Sequence, residues 1–191
     1  LPGETAGLLP TDWEDLTRDT IAFGQGVSAN IVQMASAYAT IANGGVRVPP
    51  RLVSEIVAPD GTSTVPDLGE PQRVVSEDTA KTVTYLMEGV MGKGGTGAKI
   101  SVPGYRLAGK TGTAQKAGPN GYSGFTASFM GFAPADDPEL VVAVSIQEPQ
   151  HGRYGGTLCG PVFADVMSFA LQKLAVPPTG VPAPRVRLTT G

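Results

Sequence analysis

The carboxy-terminal half of the chain contains three extended segments separated by two strong turn signals. Residues 105–113, 126–133 and 139–147 are predicted strands, and the turns are Gly118-Pro119-Asn120-Gly121 and Asp136-Asp137-Pro138. Connections this short join antiparallel neighbours, because a parallel pair needs a crossover of about a dozen residues. The third segment is apolar on both faces, which is typical of a central strand covered by helices. These segments therefore predict an antiparallel sheet.

Helices are predicted before and after these strands in the sequence. Residues 31–42 carry apolar side chains at helical spacing, with Asn30 placed to cap the first turn. Ser76 is placed to cap a second helix, and Pro161 is predicted to open a third, at a position where a missing N–H costs nothing. The order helix, helix, three strands, helix predicts an α+β fold, an antiparallel sheet with helices packed on its faces.

Composition and charge exclude several classes of function. Hydrophobic residues make up 41% of the 191 residues, so disorder from low hydrophobicity is not expected. The net charge is −3 and the 14 basic residues are scattered, so no nucleic-acid partner is predicted. One cysteine, Cys159, and one histidine, His151, exclude an intrachain disulfide and argue against a zinc site made by the protein alone. No cofactor or metal is predicted.

Residues 104–111 match the phosphate-loop pattern G-x-x-x-x-G-K-[ST] letter for letter. Phosphate binding by this pattern needs a preceding strand and a helix that begins at the lysine, so that backbone N–H groups converge on the phosphates. Here residues 105–108 alternate like a strand, and residues 112–119 are poor helix formers. A nucleotide hydrolase therefore remains as an alternative function that the surroundings of the motif disfavour.

The same segment contains Lys110-Thr111-Gly112, and K-T-G is one of three signatures of the serine β-lactamases and penicillin-binding proteins. On an edge strand the lysine brings a positive charge, and Thr111 and Thr113 alternate so that both hydroxyls emerge on one face. Gly112 leaves room for a substrate backbone. A backbone N–H aimed at a developing oxyanion is often worth about 3–4 kcal/mol. Alone, three common letters are a weak signal, and an isolated match is more often a strand end entering a turn.

Other motifs surround K-T-G in a fixed order. They are Phe23-Gly24-Gln25-Gly26, the segment QMASAYATIANGG at residues 33–45, Gly104-Tyr105, and Ser128-Phe129-Met130-Gly131-Phe132-Ala133-Pro134. With these motifs the sequence resembles the carboxy-terminal half of the transpeptidase domain of class B penicillin-binding proteins, especially the division-type enzymes. The resemblance extends over about residues 1–174. On this basis residues 1–175 are expected to be the carboxy-terminal part of that domain, and residues 176–191 a Pro-rich extended tail.

The resemblance implies a serine D,D-transpeptidase that crosslinks peptidoglycan stem peptides ending in D-Ala-D-Ala during septal wall synthesis, and that β-lactams acylate. It implies that Lys110 supplies charge, that the backbone N–H of Thr113 forms half of the oxyanion hole, and that the hydroxyls of Thr111 and Thr113 hold the substrate carboxylate. Gly112 would border the substrate. Tyr154, in a loop on the rim of the cleft, is a candidate to stack on the substrate.

The resemblance also implies a location and partners. Division-type members act at the extracytoplasmic face of the bacterial cell membrane, together with a glycan polymerase and other division proteins. Their membrane anchor is amino-terminal, and no such segment occurs in these residues: the longest apolar stretch, residues 140–146, is far shorter than the roughly 20 residues of a membrane span. The absence of a start methionine suggests that Leu1 is an internal position of a longer chain.

One departure from the family pattern concerns the nucleophile, because no S-x-x-K occurs in the 191 residues. Ser28-Ala29-Asn30 matches S-x-N only by coincidence, with Asn30 interpreted as a helix cap. The nucleophile, its lysine and the true S-x-N are therefore expected on an upstream segment. The Gly-rich loop at residues 92–97 is interpreted as a flexible connector. A serine β-lactamase shares K-T-G but the surrounding motifs favour the transpeptidase, and a non-catalytic relative with the same fold stays open.

Overall fold

The computed structural model describes residues 5–9, 11, 19, 26–118 and 121–186, without the side chains of residues 117 and 118. Residues 23–25 of one motif and residues 119–120 of one predicted turn lie outside this set. In chain order the helices and strands are α1 (Ile31–Ala42), β1 (Val46–Arg47), β2 (Ile56–Val57), β3 (Ser63–Thr64), β4 (Gln72–Arg73), α2 (Glu77–Met91), β5 (Ala108–Gly118), β6 (Gly121–Ala133), β7 (Leu140–Gln147) and α3 (Gly155–Lys173).

The main sheet contains β5, β6 and β7 in that spatial order, with both pairings antiparallel as predicted. Its first strand begins at Ala108, later than predicted, and runs on to Gly118. The prediction that the third segment is a central strand is wrong for the described residues, where β6 is central and β7 lies at an edge. The strand is apolar on both faces because α1 packs against it as well as α3.

Two hydrophobic layers lie on opposite faces of the sheet. On one face Phe129 packs against Phe163 of α3, with the ring centroids 4.7 Å apart in an edge-to-face arrangement. On the other face Phe132 packs against residues of α1 and α2, among them Tyr38 and Met87. Cys159 belongs to the first layer, where it is fully buried. The sheet is thus enclosed by helices on both faces.

The first two helices have the caps that the sequence predicts. The Asn30 side chain accepts a hydrogen bond of 2.8 Å from the Gln33 N–H, and the Asn30 N–H donates to the Gln33 side chain at 2.9 Å. The Ser76 hydroxyl accepts from the Thr79 N–H at 3.1 Å. These bonds satisfy N–H groups that a first turn otherwise leaves unpaired, so the boundaries are set locally.

The third helix starts earlier than predicted, at Gly155 instead of Pro161, which lies inside it. Its first residues contact the sheet and a neighbouring loop so closely that no side chain fits. A Cβ at Gly155 would lie 2.0 Å from the carbonyl oxygen of Ser128, and a Cβ at Gly156 would lie 2.6 Å from the carbonyl oxygen of Thr96. The buried stripe that includes Phe163 continues across the proline. Burial of this stripe outweighs the one backbone hydrogen bond that Pro161 removes.

Residues 176–179 contact the segment that leads into β5. The Tyr105 hydroxyl donates to the Val176 carbonyl at 2.6 Å, and the Thr179 N–H donates to the Gly104 carbonyl at 2.8 Å. The Thr179 hydroxyl also donates to Asp136 at 3.1 Å. This part of the predicted tail is therefore held against the domain. Among the residues placed in the structure, no helix has both the length and the apolar run that a bilayer crossing requires.

Candidate active site

The K-T-G residues lie in the first half of β5, along an edge of the main sheet. Lys110 is paired with Met130 and Gly112 with Ser128 on β6, and no strand pairs with the other side of β5 among the residues described. The phosphate-loop alternative is wrong, because Lys110 sits within a strand and no helix begins there. The backbone N–H groups around Lys110 alternate in direction along the strand, so they do not converge on one point as phosphate binding requires.

The ammonium group of Lys110 lies beside the Thr111 residue at this edge. Lys110 is exposed, and its Nζ donates to the Thr111 carbonyl at 2.9 Å and lies 3.4 Å from the Thr111 hydroxyl oxygen. The lysine side chain starts on the opposite face of the strand from Thr111, since consecutive residues alternate. It therefore bends around the edge, and a positive charge and a hydroxyl meet where a ligand has access.

The direction of the Thr113 N–H follows from the same contact. In an antiparallel strand the N–H and C=O of one residue point to the same side, and the side alternates from residue to residue. Because the Thr111 carbonyl accepts from Lys110 Nζ, Thr111 directs its backbone groups towards the free edge. Thr113 lies two residues further on and directs its N–H to the same side. The ammonium, the Thr111 hydroxyl and this N–H thus share one edge.

The two threonine hydroxyls point to the face covered by α3. Thr111 is paired with Phe129, whose ring is buried against that helix. The Thr113 hydroxyl accepts from the Gly155 N–H, the first residue of α3, at 3.4 Å. The positive end of the helix dipole is therefore close to Thr113, and it favours negative charge there.

Tyr154 directly precedes this helix, whose first residue, Gly155, contacts Thr113. Its side chain is 59% exposed, and the Arg153 guanidinium lies 5.2 Å from the centre of its ring. The Arg153 guanidinium also donates to the Tyr154 hydroxyl at 3.2 Å. Tyr154 is therefore the chain neighbour of the residue that contacts Thr113, and it is open to solvent.

A groove on the opposite side of the edge is lined almost entirely by apolar side chains. It lies between α1 and α2, has a volume of about 440 Å³, and includes Leu86, Met87 and Lys110. Tyr38 also lines it, and burial raises the pKa of the Tyr38 hydroxyl above its ordinary value. Lys110 is thus a cation at the margin of an apolar surface.

Comparison with known proteins identifies the family of this chain. The model of the "Penicillin binding protein transpeptidase domain" matches residues 1–168. The chain belongs to this family. Relatives include the penicillin-binding protein PbpB of Mycolicibacterium smegmatis, 40% identical over 98% of this chain and 31% of the relative. The peptidoglycan D,D-transpeptidase FtsI of Escherichia coli is 38% identical over 100% of this chain and 30% of its own length. The resemblance inferred from the ordered motifs is therefore confirmed.

Solved structures of this transpeptidase family have the same fold as the chain. Penicillin-binding protein 3 of Mycobacterium tuberculosis, in complex with ampicillin, superposes with a TM-score of 0.86 at 36% identity. That match covers 100% of this chain and 45% of the solved one. The predicted α+β class, with helices on the faces of an antiparallel sheet, is confirmed. The chain spans between 30% and 43% of the length of the two relatives PbpB and FtsI and of PenA of Neisseria flavescens.

An ion pair that the sequence does not predict connects α2 with the segment before β5. Arg106 binds Glu88 of α2 through two hydrogen bonds of 2.8 Å, and Asp136 lies 3.9 Å from the same guanidinium. The Glu88 side chain is 4% exposed. Hydrogen bonding to Glu88 raises the pKa of Arg106 further above its ordinary value. In the sequence, Glu88 stands out only as a charged residue next to apolar positions of α2. This pattern does not identify Arg106 as its partner.

Gly112 has a packing role in addition to the one that the sequence predicts. A Cβ at Gly112 would lie 2.3 Å from the Ser128 hydroxyl oxygen but 3.7 Å from the Ser128 Cβ. The Ser128 hydroxyl therefore occupies the place of a side chain at position 112. A Cβ at position 112 would therefore force this hydroxyl to rotate away, whether or not a substrate also lies against the strand.

We expect Gly112→Ala to lower the stability of the full-length protein by about 1–3 kcal/mol, the usual effect of overpacking. Adding Ser128→Ala should recover most of this loss, because the atom that clashes is then removed. The measurement is the shift of the urea midpoint of the single and double variants, with Ser128→Ala alone as the control. Equal midpoints for Gly112→Ala with and without the second substitution would contradict this packing role.

Proposed function

We propose that the full-length protein is a serine-type D,D-transpeptidase that crosslinks peptidoglycan stem peptides in septal wall synthesis, and that this chain forms one wall of its cleft. The observation that supports this most strongly is the free edge of β5. There the Lys110 ammonium lies 3.4 Å from the Thr111 hydroxyl, next to the outward N–H of Thr113. Relatives carrying the name peptidoglycan D,D-transpeptidase, such as PenA and FtsI, support the same activity.

The proposed reaction has two acyl transfers. A serine oxygen attacks the carbonyl carbon between the two D-Ala residues, the C–N bond breaks, and the terminal D-Ala leaves with a proton on its nitrogen. An amine of a neighbouring stem peptide then attacks the resulting ester and releases the serine. A β-lactam ring would be opened by the same serine, a proposal that the complex of a related protein with ampicillin supports.

In that reaction the residues of this chain would stabilise two negative charges, the developing oxyanion and the substrate carboxylate. The Thr113 N–H would donate to the oxygen that becomes negative when the serine attacks, as half of the oxyanion hole. Lys110 and the hydroxyls of Thr111 and Thr113 would hold the terminal carboxylate, assisted by the positive end of α3 next to Thr113. Gly112 would let the substrate backbone approach the strand, and Tyr154 would stack on the substrate from the rim.

The nucleophile is proposed to come from polypeptide outside these residues, which would carry the S-x-x-K and S-x-N elements. Two observations support this. No S-x-x-K occurs in the 191 residues, and the apolar groove of about 440 Å³ beside Lys110 offers a surface on which such a segment can pack. The attacking serine would then approach Lys110 and the free edge of β5 from the groove.

The proposed domain boundary, location and partners follow from family membership. Residues 1–175 would form the carboxy-terminal part of the transpeptidase domain, and residues 176–191 a tail, part of which is held at Gly104 and Tyr105. The protein would act at the extracytoplasmic face of the bacterial membrane, where peptidoglycan lies. An anchor outside this chain would hold it there. A glycan polymerase and other division proteins are the proposed partners.

A labelling experiment tests this function. We expect fluorescent penicillin to label the full-length protein at one serine, with ampicillin competing for the label. Peptide mapping should place the acylated serine in an S-x-x-K element outside the 191 residues. A label on a serine within these residues would overturn the proposed origin of the nucleophile. If the full-length protein is not labelled, the transpeptidase proposal fails in favour of a non-catalytic relative.

A further inference from the structure

A threonine outside the K-T-G strand contacts the hydroxyl of Thr111. The hydroxyl oxygens of Thr96 and Thr111 are 2.8 Å apart, a hydrogen-bonding distance. Thr96 belongs to the Gly-rich loop at residues 92–97, for which the sequence suggests only a flexible connection between α2 and the following segment. The contact gives this loop a direct link to the edge of β5.

The loop is held in place on both sides of Thr96. The Gly97 N–H donates to the carbonyl of Val90 in α2 at 3.0 Å, and the Gly95 N–H donates to the Gly92 carbonyl at 3.0 Å. On its other side the Thr96 carbonyl lies against the first turn of α3, only 2.6 Å from where a Cβ of Gly156 would be. The backbone around Thr96 is therefore held by two helices.

Either threonine can donate in this contact, and the direction determines whether Thr111 keeps a proton for a ligand. A hydroxyl has one proton to donate and two lone pairs that accept, whereas an ammonium group only donates. The Thr111 oxygen accepts from Lys110 Nζ at 3.4 Å and lies 2.8 Å from Thr96. If Thr96 donates, both lone pairs of Thr111 are used and its proton is free for a third group. If Thr111 donates instead, it has no proton left for a ligand.

We propose that Thr96 is a positioning residue for substrate binding: it donates to Thr111 and so directs the Thr111 O–H towards the carboxylate of the ligand. This inference rests on the proposed function. A carboxylate only accepts hydrogen bonds, so it selects the arrangement in which Thr96 donates. Successive hydrogen bonds in one direction also polarise each other, so the Thr111 O–H becomes a better donor to an anion.

The test compares acylation by ampicillin, which carries a carboxylate, with acylation by its methyl ester, which does not. In the full-length protein we expect Thr96→Val to slow acylation by ampicillin about fivefold, the usual size of one net hydrogen bond. Acylation by the ester should change less than twofold, because the ester has no carboxylate to accept a hydrogen bond from the Thr111 O–H that Thr96 directs. Intact-protein mass spectrometry measures both rates.

Matched variants complete the test. Thr96→Ser keeps the hydroxyl and should retain the wild-type rate, and Thr64→Val makes the same change at an exposed site on β3 and should have no effect. In a Thr111→Val background, Thr96→Val should cause no further loss with ampicillin. Equal slowing of acid and ester, or an unchanged rate with both, would overturn the role of Thr96. If the wild-type protein is not acylated by ampicillin at all, the proposed function itself fails.

Discussion

Lys110→Ala should slow the acylation of the full-length protein by ampicillin by about 10- to 100-fold, because it removes a hydrogen bond to the ligand carboxylate, and hydrogen bonds to charged groups contribute about 1.5–3 kcal/mol. The substitution removes the positive charge at the free edge of β5 together with its hydrogen bond of 2.9 Å to the Thr111 carbonyl. A hydrogen bond from a charged donor to a carboxylate is roughly twice as strong as a neutral one. The measured quantity is the second-order acylation rate constant.

Lys116→Ala is the control for Lys110→Ala. Lys116 also lies on β5 and forms a hydrogen-bonded ion pair of 2.8 Å with Glu148, but both side chains are substantially exposed. An exposed pair of this kind contributes at most about 1 kcal/mol, so the variant should acylate within about twofold of the wild type. Similar rates for the two alanine variants would show that Lys110 has no particular role in the cleft.

Glu88→Gln should lower the stability of the full-length protein by about 3 kcal/mol, because it leaves the Arg106 charge without its buried partner. Glu88 accepts both hydrogen bonds of 2.8 Å from this guanidinium. Asp136, at 3.9 Å, is too far away to replace them. We expect a lower urea midpoint, measured by loss of helical circular dichroism.

Two further variants separate burial of the pair from loss of charge as such. Glu77→Gln breaks an exposed ion pair of 2.7 Å with Lys81 on the same helix and should cost less than about 1 kcal/mol. The double variant Glu88→Leu with Arg106→Met replaces the pair by apolar side chains and should recover most of the stability. Equal losses for Glu88→Gln and Glu77→Gln would contradict the argument that burial makes this pair important.

The position of the pair connects stability with the site. Arg106 lies between Gly104, which the tail contacts, and Lys110 on β5. Through Glu88 it ties the beginning of the strand to α2, which also lines the groove beside Lys110. Weakening the pair should therefore loosen the placement of the strand edge relative to the groove, and Glu88→Gln should also acylate more slowly than the wild type.

The sequence was most informative where structure depends on neighbours along the chain. The caps at Asn30 and Ser76 predicted the starts of α1 and α2, because a cap bonds to an N–H only a few residues away. The two turn signals predicted the antiparallel order of the strands for the same reason. The ordered motifs around Lys110 indicated the family, which the comparison with known proteins confirmed.

Predictions that depended on distant contacts were less reliable. Pro161 is a good first residue of a helix, but α3 begins at Gly155 because its first turn packs on the carbonyl of Ser128. The apolar pattern of β7 suggested a central strand, although its two covered faces come from α1 and α3. A hydropathy pattern reports which faces are buried and cannot report what buries them.

The amino-acid order is thus sufficient for the element types, their antiparallel connection, and the placement of Lys110, Thr111, Gly112 and Thr113 on one strand. All of these depend on backbone preferences and on periodicities that act over a few residues. The free edge of β5, the contact of Thr96 with Thr111 and the burial of Glu88 with Arg106 emerged only in three dimensions. They depend on close approach between segments far apart in the chain, and side-chain pairing over such separations has no periodic signal in a single sequence.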